Sequence, residues 1–237
     1  PKVLPAIKGL DIAAKSIYSN KTGGDFYDFL RVSQTPAGIL NVVVGDVSGH
    51  GIAAGLLMAT ARALFRSRSA QPGTLSEVVT DVNRDLTLDI SDTNRFTTLF
   101  YLMVDVQNRM VKWVRAGHDA ALLFDPKSDS FEEFYGSGLA MGWDEDYRYE
   151  ENLRKGLTKG QVIFIGTDGI WETFNLTGNA FGKEPIKDII RRNAAASANT
   201  IMNEILVALA DHRQGQEPEE EVTTIVPKMV DETLESA

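Results

Sequence analysis

The stretch Gly45-Asp46-Val47-Ser48-Gly49-His50-Gly51 decides how the rest of the chain is interpreted. An uncharged run, ILNVVV at positions 39–44, leads into it, and an apolar-rich segment of helical period follows at positions 52–65. These patterns predict a buried strand before the motif and a helix after it. Because glycine permits sharp turns and close approach of the backbone, we expect Asp46 at a strand end, facing a ligand.

A second stretch repeats this arrangement later in the chain. The apolar run at positions 161–165 leads into Gly166-Thr167-Asp168-Gly169. We therefore predict that Asp46 and Asp168 are two halves of one site, with Asp25, which follows two glycines, as a third candidate. Two chemistries remain open for such carboxylates. They could hold a pair of divalent cations that activate a water and clamp a phosphoryl oxygen, or act directly as general acid and base on a sugar.

Composition limits the metals and the partners. The 237 residues include no cysteine and three histidines, so thiolate nucleophiles, disulfides and cysteine zinc sites are excluded. Any bound metal would need oxygen ligands, which favours Mg²⁺, Mn²⁺ or Ca²⁺. The net charge of −9 argues against non-specific nucleic-acid binding. No apolar run is long enough to span a bilayer.

The order of predicted elements indicates one α+β domain over residues 1–237. Residues 1–9 are expected to link it to an upstream region of a longer regulatory protein, and residues 230–237 to form a tail. The first three strands are expected to form an antiparallel meander, and both 108–109 and 117–119 to be hairpin turns. The predicted strands are 10–18, 25–32, 39–44, 96–106, 110–116, 120–124, 131–134, 147–153, 161–165 and 222–226, and the predicted helices are 52–67, 74–88, 186–193 and 200–212.

The stretch around Asp25 has a competing interpretation. Diguanylate cyclases carry a Gly-Gly-Asp/Glu-Glu-Phe loop, and Gly23-Gly24-Asp25 matches its first three positions. Here the next residue is Phe26 in place of glutamate, and the stretch lies near the start of the chain rather than centrally. Both departures argue against a cyclase.

Four motifs together resemble one known family. They are Gly23-Gly24-Asp25-Phe26-Tyr27-Asp28, the stretch Gly45–Gly51, Ala116-Gly117-His118 and Thr167-Asp168-Gly169, and they occur in its order and approximate spacing. The chain is similar, from about residue 4 to residue 226, to the bacterial SpoIIE/RsbU-like branch of the PPM metal-dependent protein serine/threonine phosphatases.

The resemblance implies a fold and a metal site. The fold would be a four-layer α/β/β/α sandwich, with two packed antiparallel sheets flanked by helix pairs. Two Mn²⁺ or Mg²⁺ ions would be bridged by Asp46, with the Val47 carbonyl, Asp168 and Asp25 as further ligands. A metal-activated water would then attack phosphoserine or phosphothreonine without a covalent phosphoenzyme.

The final motif departs from the family. Glu220-Glu221-Val222-Thr223 stands where the family usually has Asp-Asp or Asp-Asn, an apolar residue and threonine. Glu220 matches the usual metal-binding position and Glu221 its neighbour, each one methylene longer than aspartate. This difference keeps a second function open, a pseudophosphatase that binds a partner through a weakened metal site.

Three further residues are candidates near the site. His50 lies close enough in the chain to Asp46 to donate a proton to the leaving oxygen, and Lys21 could attract the substrate phosphate. A solvated turn is the alternative for Lys21, and the sequence does not determine the direction of His50. For His118 we expect a structural hydrogen bond at a strand turn. His212 is expected to be exposed.

The resemblance also implies partners. The substrate would be a phosphorylated STAS-like protein of the anti-sigma-factor-antagonist type, and an upstream sensor domain would act through the helices that follow Asp46. A second copy of the chain is a further candidate partner. The domain is expected to be cytoplasmic, with any membrane anchor in the upstream region.

Overall fold

The structure, a computed structural model, describes residues 1, 3–19, 23–32, 36–90 and 94–231. The strands in these ranges are β1 (Leu10–Ile17), β2 (Phe26–Phe29), β3 (Ile39–Val47), β4 (Thr97–Asp105), β5 (Met110–Ala116), β6 (Ala121–Asp125), β7 (Ser130–Phe134), β8 (Asn152–Lys155), β9 (Val162–Gly166) and β10 (Val222–Met229). The helices are α1 (Ile52–Ser69), α2 (Leu75–Ile90), α3 (Glu184–Arg192) and α4 (Ala198–Arg213).

The strands form two five-stranded sheets. The first sheet has the order β1-β10-β9-β6-β7, and the second has the order β2-β3-β4-β5-β8. Neighbouring strands are antiparallel throughout both sheets. Asp46 therefore belongs to the second sheet, whereas Asp168 directly follows a strand of the first.

The sheets pack face to face, and each is covered on its outer face by a helix pair. Along β3, Val42 and Val44 point into the core between the sheets, and Val43 points into the core beneath α1 and α2. Helices α3 and α4 close a third core over the first sheet. Burial of both sheet faces explains why β3 is apolar at successive positions. The predicted four-layer α/β/β/α architecture is confirmed.

The first helix pair follows signals that are local in the sequence. At the start of α2, the backbone N–H of Glu77 donates to Thr74 Oγ1 at 3.2 Å, and the N–H of Thr74 donates to the Glu77 carboxylate at 2.7 Å. This reciprocal arrangement is a capping box, which satisfies amide groups that the helix leaves without internal partners. Apolar residues on one face of each helix pack onto the second sheet, among them Phe65 of α1 and Leu86 of α2.

Two predicted connections are wrong. Strand β1 pairs with β10 along its whole length, from Leu10 opposite Met229 to Ile17 opposite Val222, so it does not join β2 in a meander. Residues 117–119 are also not a hairpin turn, because β5 and β6 lie in different sheets. That segment crosses from one sheet to the other. An alternating apolar pattern is the same in either sheet, and it therefore could not show which strand each one joins.

Several boundaries differ from those predicted. Strands β2 and β8 are shorter than expected, whereas β10 continues to Met229. The predicted tail begins with Val230, whose N–H donates to the Gly9 carbonyl at 3.0 Å, and residues 232–237 lie outside the described residues. No helix in the described part of the chain is long and apolar enough to cross a membrane.

Candidate metal centre

Asp46 and Asp168 lie at one edge of the sandwich, where ends of the two sheets meet. Asp46 is the penultimate residue of β3, and Asp168 lies two residues after β9. Both line a cavity of about 620 Å³ together with Asp25, Glu220 and Glu221. The structure therefore brings together the aspartates that the sequence analysis grouped, and their carboxylates come from both sheets.

Asp25 is held in place by residues of the opposite sheet. Thr167 Oγ1 donates a hydrogen bond to Asp25 Oδ2 at 2.7 Å, and the backbone N–H of Asp25 donates to Glu221 Oε2 at 2.9 Å. The N–H of Thr223 in turn donates to Thr167 Oγ1 at 3.1 Å. These bonds fix the start of the second sheet to β9 and β10.

Two glycines allow this close approach. A Cβ atom at Gly24 would lie 2.4 Å from the Val47 carbonyl oxygen, and one at Gly169 would lie 2.0 Å from the Glu221 carbonyl oxygen. Such distances are far below van der Waals contact, so any larger residue would push the strands apart. The glycines beside Asp25 and Asp168 are thus required by packing between backbones.

Burial is the main cause of raised pKa values among the carboxylates of the cavity, and neighbouring negative charges add to it for some of them. Burial and then Asp168 raise the pKa of Asp46 to about 6. Burial and then the charge of Asp46 raise the pKa of Asp25 well above its ordinary value. Burial also raises the pKa of Asp168, Glu220 and Glu221. None of the described residues that line the cavity is a lysine or an arginine, so none of them compensates this negative charge.

This set of donors suits a hard divalent cation by its chemistry. It consists of carboxylate oxygens and the Val47 backbone at the cavity wall, which are ligand types that Mg²⁺ and Mn²⁺ prefer. Within the described ranges, no three acidic or histidine side chains already surround one point closely enough to form a finished metal site. The fit therefore rests on the type and charge of the donors, not on preformed coordination.

The two C-terminal glutamates differ in environment. Glu221 is 7 % exposed, and one of its oxygens accepts the Asp25 N–H, so it ties β10 to the loop before β2. Glu220 lies at the exposed edge of the cavity, where partial burial of its carboxyl and then the charge of Asp168 raise its pKa. A Cβ atom at Gly169 would lie 3.6 Å from Glu220 Cβ, which places Glu220 on the Asp168 side of the cavity, and none of the ion pairs among the described residues involves its carboxylate.

The remaining candidates from the sequence are His50, Lys21 and His212. His50 is exposed at the rim of the same cavity. Lys21 lies outside the described residues, so its predicted role in phosphate binding stays a prediction. His212 is half-buried, and its Nε2 lies 2.9 Å from the Asn179 carbonyl oxygen, away from the cavity.

His118 is buried between the two sheets. Its Nδ1 lies 2.9 Å from Thr98 Oγ1, and its Nε2 lies 3.2 Å from the Gly166 carbonyl oxygen. Burial lowers its pKa to about 4, which favours the neutral ring. The expected hydrogen-bonding role is supported, with partners in both sheets.

Three residues of the site were missed in the sequence. Thr98 is hydrogen-bonded to His118, and Thr167 is hydrogen-bonded to Asp25. Asp119 lines a small cavity with Asp46 and Asp168. Asp119 also pairs with Lys183 at 2.7 Å. Adjacency to His118 and Asp168 was the one available signal for Asp119 and Thr167. Thr98 could not be found, because its role depends on pairing with β3.

Comparisons with known proteins identify the fold. The chain matches the crystal structure of the RsbU and RsbW domains of a Mycobacterium tuberculosis protein with a TM-score of 0.80 and 23 % identity, over 97 % of this chain and 62 % of that one. It matches the SiaA-PP2C domain of Pseudomonas aeruginosa with a TM-score of 0.76 and 20 % identity, over 92 % of this chain and 86 % of that one. The fold is the PP2C fold.

The sequence comparisons identify the family. The family model described as Stage II sporulation protein E (SpoIIE) matches residues 36–229, and the chain belongs to this family. It is 27 % identical over 207 residues to the phosphoserine phosphatase RsbU of Bacillus subtilis (strain 168), which covers 87 % of this chain. The chain spans 59 % of the length of that relative.

Proposed function

We propose that the chain is a metal-dependent protein serine/threonine phosphatase that hydrolyses phosphoserine or phosphothreonine on a regulatory protein. The observation that carries this proposal is a group of carboxylates, drawn from both sheets, around an open cavity that no described lysine or arginine lines. A phosphate dianion entering this cavity would be repelled unless cations were bound there. Binding of the phosphorylated substrate would therefore require bound metal to offset the negative charge of the cavity. PP2C-type phosphatases are metal-dependent, and the related RsbU is a phosphoserine phosphatase.

The residues that would hold two Mn²⁺ or Mg²⁺ ions are Asp46, Asp168, Asp25 and Glu220, together with the Val47 carbonyl. When bound, such cations lower the pKa of a water and offset charge on phosphoryl oxygens. Asp25 is oriented for this task by Thr167, and Asp46 by its place in β3. Glu221 is a further proposed ligand, and its carboxylate also accepts hydrogen bonds from the Asp25 and Gly23 backbones.

The rim of the cavity would serve the leaving group. His50 is exposed there and carries a ring that can donate a proton to the departing seryl or threonyl oxygen. The cavity is open and polar, so it suits a phosphorylated side chain presented on the surface of another protein. His50→Ala is then expected to slow a phosphoserine peptide more than p-nitrophenyl phosphate, whose leaving group needs no proton.

The test of the function is hydrolysis of a phosphoserine peptide by the purified chain, with Mn²⁺, with Mg²⁺ and with a chelator. We expect turnover with the metals, loss of turnover with the chelator, and loss in Asp46→Asn and Asp168→Asn. Asp129→Asn is a matched control, because Asp129 is an exposed aspartate that pairs with Arg191. Turnover that survives the chelator would contradict the proposal. Metal-independent partner binding without turnover would support the pseudophosphatase.

For the substrate, we propose a phosphorylated STAS-like protein within a partner-switching pathway. Support comes from the relative named RsbU and from the similar structure in which RsbU and RsbW domains belong to one protein. A phosphorylated STAS domain should have a higher kcat/KM than a peptide of the same local sequence. Equal values for the two substrates would argue against recognition of the folded partner.

We also propose an upstream sensor domain that acts through α1 and α2, because α1 begins at Ile52, just after Asp46, and a shift of this helix would move the proposed ligand. A longer protein that includes the upstream region should respond to its signal with a change in metal affinity or kcat. The single-domain boundaries, the homodimer and the cytoplasmic location stay predictions.

A further inference from the structure

We propose that His118 is a positioning residue that sets the spacing between Asp46 and Asp168 by tying their strands together across the two sheets. The inference rests on the proposed function, in which these two aspartates share one metal centre. His118 would touch neither substrate nor metal. It would act through Thr98 on one side and Gly166 on the other.

The two partners of the ring lie next to the two aspartates. Thr98 is the residue of β4 directly opposite Asp46 of β3 in the second sheet. Gly166 ends β9 in the first sheet, two residues before Asp168. One imidazole therefore connects the neighbours of both carboxylates, at 2.9 Å to the Thr98 hydroxyl and 3.2 Å to the Gly166 carbonyl.

The direction of the two hydrogen bonds follows from their partners. A carbonyl oxygen can only accept, so Nε2 must carry the proton that is donated to Gly166. In the neutral ring, Nδ1 then accepts the hydroxyl proton of Thr98. Complete burial favours that neutral ring. Both nitrogens of His118 are thus used, and neither is left to take part in proton transfer.

Contacts that do not involve the ring fix the backbone around His118. Gly117 has φ 68°, and a Cβ there would lie 2.9 Å from the Ala140 backbone, so the turn needs glycine. The Gly117 N–H donates to the Gly138 carbonyl at 3.0 Å, and Arg115 donates to the His118 carbonyl. Because the segment crosses between the sheets, it presents the ring to both of them.

The need for such a link follows from charge. Asp46 and Asp168 are partly buried and repel each other, and no described lysine or arginine lines the cavity between them. A small cavity of about 40 Å³ is lined by both aspartates and by Thr98, Gly117, His118 and Asp119. Without a cation, repulsion would favour a wider separation at this edge. A rigid neutral bridge opposes that movement and keeps the site ready for metal.

The expected effect concerns metal affinity first. Loss of partners that orient metal ligands lowers affinity or activity by about 10–100-fold. We expect His118→Ala, which removes both bonds, to weaken Mn²⁺ binding by that factor. His118→Gln keeps an N–H donor that can reach Gly166, and Thr98→Val removes only the hydroxyl. Each of these should weaken binding by less than His118→Ala does.

The experiment is a calorimetric titration of the whole chain with Mn²⁺, in wild type and the three variants. His212→Ala is the matched control, because His212 also bonds a backbone carbonyl through Nε2 but lies away from the aspartates. Urea denaturation of each metal-free variant gives the folded fraction at the titration temperature. Thr98→Val leaves the buried ring in place, so it tests the link even if His118→Ala folds poorly.

Hydrolysis of a phosphoserine peptide separates positioning from a general loss of structure. The proposal expects a lower kcat at fixed Mn²⁺ that is partly restored by excess Mn²⁺, with KM for the peptide unchanged, and partial rescue in His118→Gln. It is overturned if folded His118→Ala binds Mn²⁺ as wild type does, or if affinity falls only with the folded fraction. Absence of Mn²⁺ binding in the wild type would overturn the proposed function as well.

Discussion

Asp25 and Asp28 are three residues apart in the same stretch of sequence, and both are buried, yet their surroundings are opposite. The Asp28 side chain is 1 % exposed and pairs with Arg62 at 2.9 Å and with Arg66, whose Nη2 donates to it at 3.0 Å. Asp25 faces Asp46 and Glu221, and its carboxylate accepts a hydrogen bond from the Thr167 hydroxyl. Two arginines compensate one carboxylate, whereas no described lysine or arginine lines the cavity beside the other.

The difference distinguishes a structural carboxylate from a proposed metal ligand. Burying a charge without a partner costs several kcal/mol, so an uncompensated group is expected only where something else supplies the opposite charge. Asp28 has that charge from α1, and it fastens the helix to β2. The cavity around Asp25 lacks a described cation, and we infer that bound metal supplies it. The following predictions test this contrast.

The largest expected effect is on hydrolysis. Asp46→Asn removes one negative charge from the proposed metal centre, and we expect turnover of a phosphoserine peptide with Mn²⁺ to fall by at least about 10²-fold. Asp28→Asn, measured where the protein is folded, should retain turnover within a few fold. A similar loss in both variants would show that the contrast between the two carboxylates is false.

The next effect is on stability. Replacing both arginines, as Arg62→Met with Arg66→Met, would leave the buried Asp28 carboxylate without a cation. Breaking a buried ion pair in this way costs about 3–5 kcal/mol, although exposure of the Arg66 side chain, at 54 %, places the expected value near the lower end. Urea denaturation of the metal-free chain measures the loss. A loss below about 1 kcal/mol would mean that water already compensates Asp28.

The local part of this organisation was predictable from the sequence. The order strand, glycine motif and helix around Asp46 follows from apolar periodicity and from glycine, which act within a few residues. The capping box at Thr74 and Glu77 is equally local. Asp46 and Asp168 were grouped because each follows an apolar run. Their roles as ligands depend on the resemblance and stay proposals.

The rest depended on contacts between distant segments. Strands β1 and β10 pair although they are far apart in the sequence, and the sequence of neither strand identifies its partner. The same reason explains why Thr98 was missed, since it acts through its place opposite Asp46. Asp28 and Asp25 also look alike in sequence. Only the packing of α1 gives one of them two arginines.

The third prediction concerns pH. Asp46 has a pKa near 3.8 when unfolded and about 6 in the folded metal-free chain, so the folded state retains its proton over a wider range. The free energy of unfolding should therefore fall as pH rises from about 4 to about 6, by at most about 3 kcal/mol from this group. Below pH 4 the effect is absent, because the group is protonated in both states.

Urea denaturation across this pH range, with a chelator present, measures the slope. Asp46→Asn should reduce it, because the amide does not titrate. Saturating Mn²⁺ should remove the loss of stability at higher pH, since metal binding requires the deprotonated carboxylates. If the stability of the metal-free wild type depends on pH between 4 and 6 in the same way as that of Asp46→Asn, the raised pKa of Asp46 is contradicted. The inference of a metal site from uncompensated charge would then lose its support.

The smallest effect should come from Asp28→Asn on stability. This change removes the buried charge and leaves two arginines that can turn toward solvent, so the penalty of an isolated buried charge does not arise. We expect a loss of about 1–2 kcal/mol, from the charge-assisted hydrogen bonds. Urea denaturation beside the double arginine variant gives the comparison directly. The order matters more than either value: if Asp28→Asn costs more than the loss of both arginines, the buried carboxylate has a role beyond holding α1.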